Sequence, residues 1–494
     1  MNIIRTPILG GVSKGRLQFV AWPRVLLHVL LASVFGLASL PSQAIQTHAP
    51  NLDQTLPNGL RVLVYESRRA PTALHMVWIG VGSIDEQPGK TGLAHVLEHM
   101  MFKGTKTLAP GEFSRRVAAL GGRENAFTSK EYTGYFQQVH RDALFEVMAL
   151  EADRMQNLKF SDEDFKKEIL VVMEERRLRT DDNPQSLAYE ALLARAFTAS
   201  PVRHPIIGWM ADLKALKPDD ARRWYETWYA PNNATVIVAG DVDSAEVLKQ
   251  VQSLYGQWKT KPLNRPAPVL EPEQLGARVA QVSGPGKLPF ALKAWKTPSI
   301  GSTDGPIEPN NPRARDAVAL SMLGSILDHP DFGRLSQKLV REQRQALGVG
   351  TQAEGISRSP GIFLAEATPV DGVTPVALVR AIEAEIALIA SQGIGREELD
   401  LIRLQAKAAE IYKKDSLFST AMDAGRLIAA GRPINDSRDW LAMLDAIEPA
   451  DIQRVAKEYF LEKQSTLIEF EPVPLAANKP AAAAMPPSGS GRAH

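Results

Sequence analysis

The chain has 494 residues, a formal charge of +1 from 57 Lys and Arg against 56 Asp and Glu, an ordinary 44% of hydrophobic residues and no cysteine. That length calls for two or more domains of about 100–200 residues each. The missing thiol excludes a disulfide framework, a thiolate metal site and a Cys nucleophile, and the near-neutral charge gives no electrostatic basis for nucleic-acid binding.

In chain order, the first 44 residues form a leader pattern. They carry Arg5, Lys14, Arg16 and Arg24 and no acidic residue, then an apolar stretch over residues 25–40, then Ser42-Gln43-Ala44, which suits a small-x-small cleavage site. His28, Ser33, Gly36 and Ser39 interrupt the apolar stretch, which falls short of the roughly 18 residues of a spanning helix. The expectation is a signal peptide over residues 1–44 and export to a periplasm; an uncleaved membrane anchor and an organellar transit peptide are the alternatives. Cleavage after Ala44 takes the net charge from +1 to −3.

Residues 59–65 (GLRVLVY) and 73–81 (ALHMVWIGV) read as strands, with Pro57-Asn58-Gly59 as turn chemistry before the first. Helical periodicity covers residues 91–101, 111–120, 141–155, 162–180 and 219–228, and residues 234–239 form another strand. Residues 209–242 match residues 440–473 without a gap at an offset of 231, sharing Trp209/Trp440, Pro218/Pro449, Asp220/Asp451, Arg223/Arg454 and Ile237/Ile468. The pattern predicts an α+β fold of two homologous domains, each an antiparallel-rich sheet with helices packed on it, over residues 45–260 and 284–474. A Pro-rich linker over residues 261–283 joins them, and residues 475–494, rich in Ala, Pro, Ser and Gly, are expected to be a disordered tail.

The chemistry concentrates in His95-Val96-Leu97-Glu98-His99. On a helix, His95 and His99 lie about 40° apart on one face, and Glu98 flanks that face. Two imidazoles and a carboxylate suit a zinc ion whose open position holds water and whose neighbouring carboxylate takes the water's proton. An incidental histidine pair on a buried helix is the plainer alternative. The metal is favoured because two of the nine histidines gather at ligand spacing around a glutamate.

A third ligand is needed. Residues 165–179 (FKKEILVVMEERRLR) offer Glu168, Glu174 and Glu175; Glu168 and Glu175, seven apart, share a face, and Glu174 points about 100° away. One of the pair could ligate and the other orient a histidine, but spacing alone leaves this balanced against a solvated acidic face. Residues 121–128 (GGRENAFT) read as a glycine turn entering an edge strand, which can add an extended peptide or simply be an edge. His75, His140 and His204 and the stripe of Trp224, Tyr225 and Trp228 read as packing residues.

The runs HVLEHMMFKGT, NAFTSKEYTGYF and KEILVVMEERRLR, in this order, resemble the insulinase/pitrilysin class of zinc peptidases with an inverted H-x-x-E-H motif, of the short two-domain kind similar to the zinc subunit of mitochondrial processing peptidase. The resemblance extends over nearly the whole mature chain. It implies half of a clamshell, with one Zn2+ per chain held by His95, His99 and Glu175, Glu98 as general base, Glu168 supporting a ligand, and Asn125 and Ala126 contacting the substrate backbone. Residues 290–325 carry no H-x-x-E-H, so the second domain is expected to be metal-free.

Family members that complete the site from the opposite half carry an Arg and, seven residues later, a Tyr. Here Arg341 is followed by Gly348 or Val349 at the Tyr position, which implies a heterodimer with a homologous metal-free subunit supplying the Arg/Tyr pair in preference to a homodimer. The expected function is a zinc metalloendopeptidase acting on short or unfolded peptides through a zinc-bound water activated by Glu98. The rivals are a noncatalytic peptide-binding or scaffold subunit of the same fold and a zinc hydrolase for non-peptide substrates.

Overall fold

The computed structural model describes residues 49–473; the signal peptide expected over residues 1–44 and the tail expected over residues 475–494 lie outside the described residues. The first half runs β1 (Leu52–Thr55), β2 (Arg61–Glu66), β3 (Thr72–Ile79), α1 (Leu93–Met100), α2 (Glu112–Ala119), β4 (Arg123–Thr128), β5 (Thr133–His140), α3 (Leu144–Asn157), α4 (Asp162–Arg176), α5 (Pro184–Ala196), α6 (Met210–Ala215), α7 (Pro218–Trp228), β6 (Ala234–Gly240) and α8 (Ser244–Tyr255). The second runs β7 (Arg278–Pro285), β8 (Phe290–Thr297), α9 (Pro312–Leu327), β9 (Ala346–Ala353), β10 (Gly361–Pro369), α10 (Pro375–Gln392), α11 (Arg396–Lys413), α12 (Leu417–Ala429), α13 (Asp436–Ala446), α14 (Pro449–Tyr459) and β11 (Ser465–Val473).

The first sheet has the order β1-β2-β6-β3-β5-β4, and the second the order β7-β11-β8-β10-β9. From β2 onward the two orders are the same, and in each the only parallel contact is the outer one, β2 with β6 and β7 with β11. The offset of 231 carries α7 onto α14 end for end and the start of β6 onto the start of β11. Asp220 and Asp451, three residues into those helices, each accept from the backbone N–H just before the helix, at 3.0 and 2.8 Å. The sequence repeat is therefore a repeat of structure, including its helix caps.

Two expectations need correction. The linker proposed over residues 261–283 is irregular only to residue 277, because Arg278–Pro285 form β7, whose alternating side chains pair in parallel with β11. The helix proposed over residues 162–180 is α-helical to Arg176 and widens into a π turn over Arg177–Asp181, where the chain redirects toward Asn183 and Pro184 at the start of α5.

The central strands of each sheet are buried on both faces, which is why β3, β6, β8 and β10 are mostly apolar. One face of the first sheet packs on α1, α3, α7 and α8. Its other face, with Leu63, Leu74, Met76, Trp78 and Ile237, is covered by Ala421 and Ala424 of α12 from the second half. Reciprocally, Ala188, Leu192, Leu193 and Ala196 of α5 cover Phe290, Leu292, Ala294, Ile468 and Phe470 of the second sheet. The halves thus exchange one helix each, and the same offset relates α5 to α12 to within two residues.

A polar clamp joins the halves nearer the β4–β5 turn. The buried Glu131 accepts through Oε1 from Ser357 Oγ at 2.5 Å and from Ser359 N–H and Oγ at 3.0 Å each, and Arg358 reaches Glu131 O at 2.9 Å and Asp85 Oδ2 at 3.2 Å.

The helix exchange depends on a close approach at Gly425, where a Cβ would overlap the Trp78 ring. Gly425→Ala is expected to destabilise the chain by about 1–3 kcal/mol through overpacking, measured by denaturant unfolding; an unchanged midpoint would show that α12 does not seat on Trp78.

Candidate metal centre and peptide-binding edge

The helix α1 opens at Gly92, whose φ of 84° and whose contact with the backbone of Ile207 and Gly208 exclude a side chain. Its N-terminus is capped by a side-chain carboxyl group from upstream: Glu86 accepts from Gly92 N–H at 2.8 Å and Ala94 N–H at 2.7 Å. Thr91 Oγ1 donates to Asp212 at 2.6 Å and accepts from Trp209 N–H at 2.9 Å, tying the same end to α6. Leu93, Val96, Leu97 and Met100 sink into the core. That burial turns His95 and His99 toward α4.

The helix α4 starts with a reciprocal cap between Ser161 and Asp164 and buries Phe165 and Val172. Its C-terminal end is held by Arg176, which forks onto Glu190 of α5 with two 2.8 Å bonds and donates to Gly208 O at 2.8 Å. Glu168 and Glu175 therefore face α1. Glu174, 44% exposed, turns outward to Arg177 at 2.7 Å.

The donor atoms meet between the two helices. His99 Nδ1–H donates to Glu168 Oε1 at 2.9 Å, and Lys103 Nζ holds the other oxygen of Glu168 at 2.5 Å. His99 Nε2 lies 3.2 Å and His95 Nε2 3.9 Å from Glu175 Oε2, and Arg179 takes Glu175 Oε1 at 2.8 Å. One ligand atom from each of His95, His99 and Glu175 lies within 4.8 Å of the others, the one such group among the described residues.

The electrostatics ask for one positive charge in this place. Burial works against charge on His99, but its hydrogen bonds to Glu168 and Glu175 outweigh that and raise its pKa to about 9. Burial and the neighbouring His99 push His95 the other way, to about 3. For Glu175 burial is again outweighed, by the His99 hydrogen bond and the charge at His95, and its pKa falls to about 2.

His95 is thus a neutral imidazole facing a carboxylate, and its buried Nδ1 has no hydrogen-bond partner among the described residues. A divalent cation fits this donor set. It would take both Nε2 lone pairs and balance the carboxylate, with Glu168 fixing the His99 ring from behind.

Glu98 stands beside the cluster, only 9% exposed, and accepts from Thr128 Oγ1 at 2.5 Å. Burial raises its pKa, partly offset by His99 and by the Thr128 hydrogen bond. Thr128 ends β4, the outer strand of the first sheet, which also carries Asn125 and Ala126. The structure thus brings His95, Glu98, His99, Glu168 and Glu175 into one cluster and sets Asn125 and Ala126 on the adjoining edge. Glu86, Lys103, Arg176 and Thr128 were missed by sequence reasoning. Only Thr128 left a signal there, sharing the alternation of β4 with Ala126.

Arg341 lies in the second half and donates to Pro330 O and Asp331 O at 2.7 and 3.1 Å; Gly348 and Val349 lie on β9. His75 is buried against Gln137 at 2.8 Å, His204 accepts from Trp209 Nε1 at 3.1 Å, and Trp224 and Trp228 are buried in the core, in keeping with packing roles.

A family model described as Insulinase (Peptidase family M16) matches residues 61–209, and one described as Peptidase M16 inactive domain matches residues 215–406. The chain is 31% identical over 462 residues to the Helicobacter pylori protein named Zinc protease PqqE, covering 90% of this chain and 100% of that one. It is 27% identical over 463 residues to the Arabidopsis thaliana protein named Probable mitochondrial-processing peptidase subunit beta, covering 90% of this chain and 81% of the relative. Among solved structures, a protease from Helicobacter pylori matches with a TM-score of 0.79 at 30% identity, over 86% of this chain and 100% of that one. The periplasmic protease PqqL from Escherichia coli matches at 0.71 and 19% identity, over 88% of this chain and 51% of PqqL.

The Glu86 cap makes a pH-dependent prediction. Burial raises its pKa well above the ordinary carboxyl value despite its two N–H partners, so the folded chain keeps a proton that the unfolded chain has lost, and stability falls as pH rises through that window. Glu86→Gln, which cannot titrate, is expected to gain stability relative to wild type between about pH 5 and about pH 8 in denaturant unfolding. Glu86→Ala should lose about 1–2 kcal/mol at both ends, and a constant Gln-to-wild-type difference would contradict the assignment.

Proposed function

The chain belongs to the insulinase family of zinc peptidases, peptidase family M16, and on that premise we propose that it is a zinc-dependent metalloendopeptidase cleaving short or unfolded peptides. The observation that carries the proposal is the convergence of His95, His99 and Glu175 within 4.8 Å beside the buried Glu98. His95 Nε2, His99 Nε2 and Glu175 Oε2 would hold the ion. When bound, zinc supplies Lewis-acid polarisation of a scissile carbonyl and makes water acidic near neutral pH.

The chain's own residues do the rest. Glu98 accepts the proton of the attacking water and hands it to the leaving amine, a role suited to a carboxylate whose pKa burial has raised toward the working range. Glu168 accepts from His99 Nδ1–H and so presents the Nε2 lone pair to the site. The outer edge of β4 binds the peptide as an added strand, with Asn125 and Ala126 meeting its backbone, which gives affinity with little sequence preference.

A complete chamber on this proposal takes a second subunit. The chain spans 51% of PqqL and 91% of that protein's first half, and the plant relative is itself named as a subunit. Arg341 without a tyrosine at position 348 or 349 favours a homologous metal-free partner bringing the Arg/Tyr pair. The acid-free leader favours export, and no described helix is long and apolar enough to cross a membrane.

Two variants test these roles. Glu98→Gln is expected to keep its zinc and lose about two or more orders of magnitude in peptide cleavage; a variant cleaving at the wild-type rate would remove Glu98 from the mechanism. Glu168→Ala should weaken zinc binding about 10–100-fold in a chelator competition while Glu174→Ala leaves it unchanged, and equal effects of the two would show that Glu168 does not support His99.

A further inference from the structure

The general base proposed above is held by one side chain from outside its own helix: Thr128 Oγ1 donates to Glu98 Oε2 at 2.5 Å, a length typical of charge-assisted bonds. Nothing in the chemistry of a water-activating carboxylate demands this partner, so its origin matters. Thr128 is the last residue of β4, the strand whose free side is the proposed peptide edge.

The register of β4 decides what Thr128 can do. Ser129 N–H closes the turn onto Tyr132 O at 2.8 Å, and Ala126 N–H donates to Asn125 Oδ1 at 2.9 Å. By the alternation of an antiparallel ladder, Ala126 and Thr128 then turn their backbone groups to the outer edge, and Asn125 and Phe127 turn theirs to β5. Side chains alternate as well. Phe127 packs on Trp78 on the α12 side of the sheet, at 5.4 Å between rings, while Ala126 packs in the cluster that contains α1 and Thr128 reaches Glu98. The turn that follows is pinned by the Glu131 clamp, so the end of β4 is fixed before any ligand arrives.

We infer that Thr128 is the positioning residue for proton transfer: it offers its backbone to the peptide strand and its hydroxyl to Glu98, holding Glu98 by Oε2 and leaving Oε1 to exchange the proton. Peptide register on β4 and the orientation of the base are then set by the same residue. The inference rests on the peptidase proposal. It adds a requirement for the hydroxyl itself, because a valine of the same shape would fill the space equally well.

The test uses the full-length, zinc-loaded chain with its native partner and an unstructured peptide. Thr128→Val is expected to lower kcat about tenfold to a hundredfold, with KM within about twofold, zinc content at one per chain and the thermal midpoint unchanged. Thr128→Ser, which restores the hydroxyl, should recover kcat to within about threefold of wild type, and Thr128→Ala should behave as the valine variant. With an active wild type, a valine variant at the wild-type kcat, a serine variant no better than alanine, or a loss confined to KM would overturn the positioning role alone. A zinc-loaded wild type that cleaves no peptide would overturn the peptidase proposal, and this role with it.

Discussion

His99 stands between two carboxylates of a second helix, its Nδ1 2.9 Å from Glu168 and its Nε2 3.2 Å from Glu175, and the arrangement of the site follows from that contact. A single imidazole is oriented from one side and faces a ligand on the other only if α1 and α4 keep one spacing and one rotation. An error of an ångström in either would break one of the two contacts. The architecture around the pair can be understood as the set of constraints that hold this spacing.

Those constraints come from three directions. The N-terminus of α1 is fixed by Gly92, Glu86 and the Thr91–Asp212 contact, and beyond its C-terminus Phe102 lies under the buried Arg154, whose guanidinium also covers Phe113 and Tyr135 and pairs with Glu151 at 2.5 Å. A buried pair of this kind is costly to break on one side only, by about 3–5 kcal/mol, which makes it a rigid support. Arg176 fastens the end of α4 to α5 and to Gly208. The helix α5 is the one the first half lends to the second sheet, so the second half anchors the far end of the site. Its loop at Ser357–Ser359 clamps the turn after Thr128, while Arg358 reaches Asp85, next to the Glu86 cap.

The residues that carry chemistry were legible because they obey local rules. His95, Glu98 and His99 stand out from helix geometry, while the seven-residue spacing of Glu168 and Glu175 left a ligand pair balanced against a solvated acidic face; taking Glu175 as the ligand needed the family resemblance, and the fold brings Glu175 to the histidines. The repeat at offset 231 foretold the doubled sheet. What stayed hidden depends on contacts far apart in sequence. Thr128 meets Glu98 across 30 residues, and Glu131 meets Ser357 and Ser359 across more than 220. The strand β7 looked like a linker because its neighbour in the sheet, β11, follows it by nearly two hundred residues and every second side chain from Val279 to Ser283 is exposed. The exchange of α5 and α12 was equally silent, since periodicity reports that a helix has a buried face and says nothing of which sheet buries it.

The central claim is that this pair of helices forms a zinc site that cleaves peptide bonds. It is tested most directly by measuring the metal content of the chain purified in its native assembly, together with its digestion of an unstructured peptide before chelation, after chelation and after zinc is returned. The account predicts one zinc per chain, with cleavage lost on chelation and restored by zinc. A chain without stoichiometric zinc, or one whose peptide digestion is indifferent to the chelator, would contradict it.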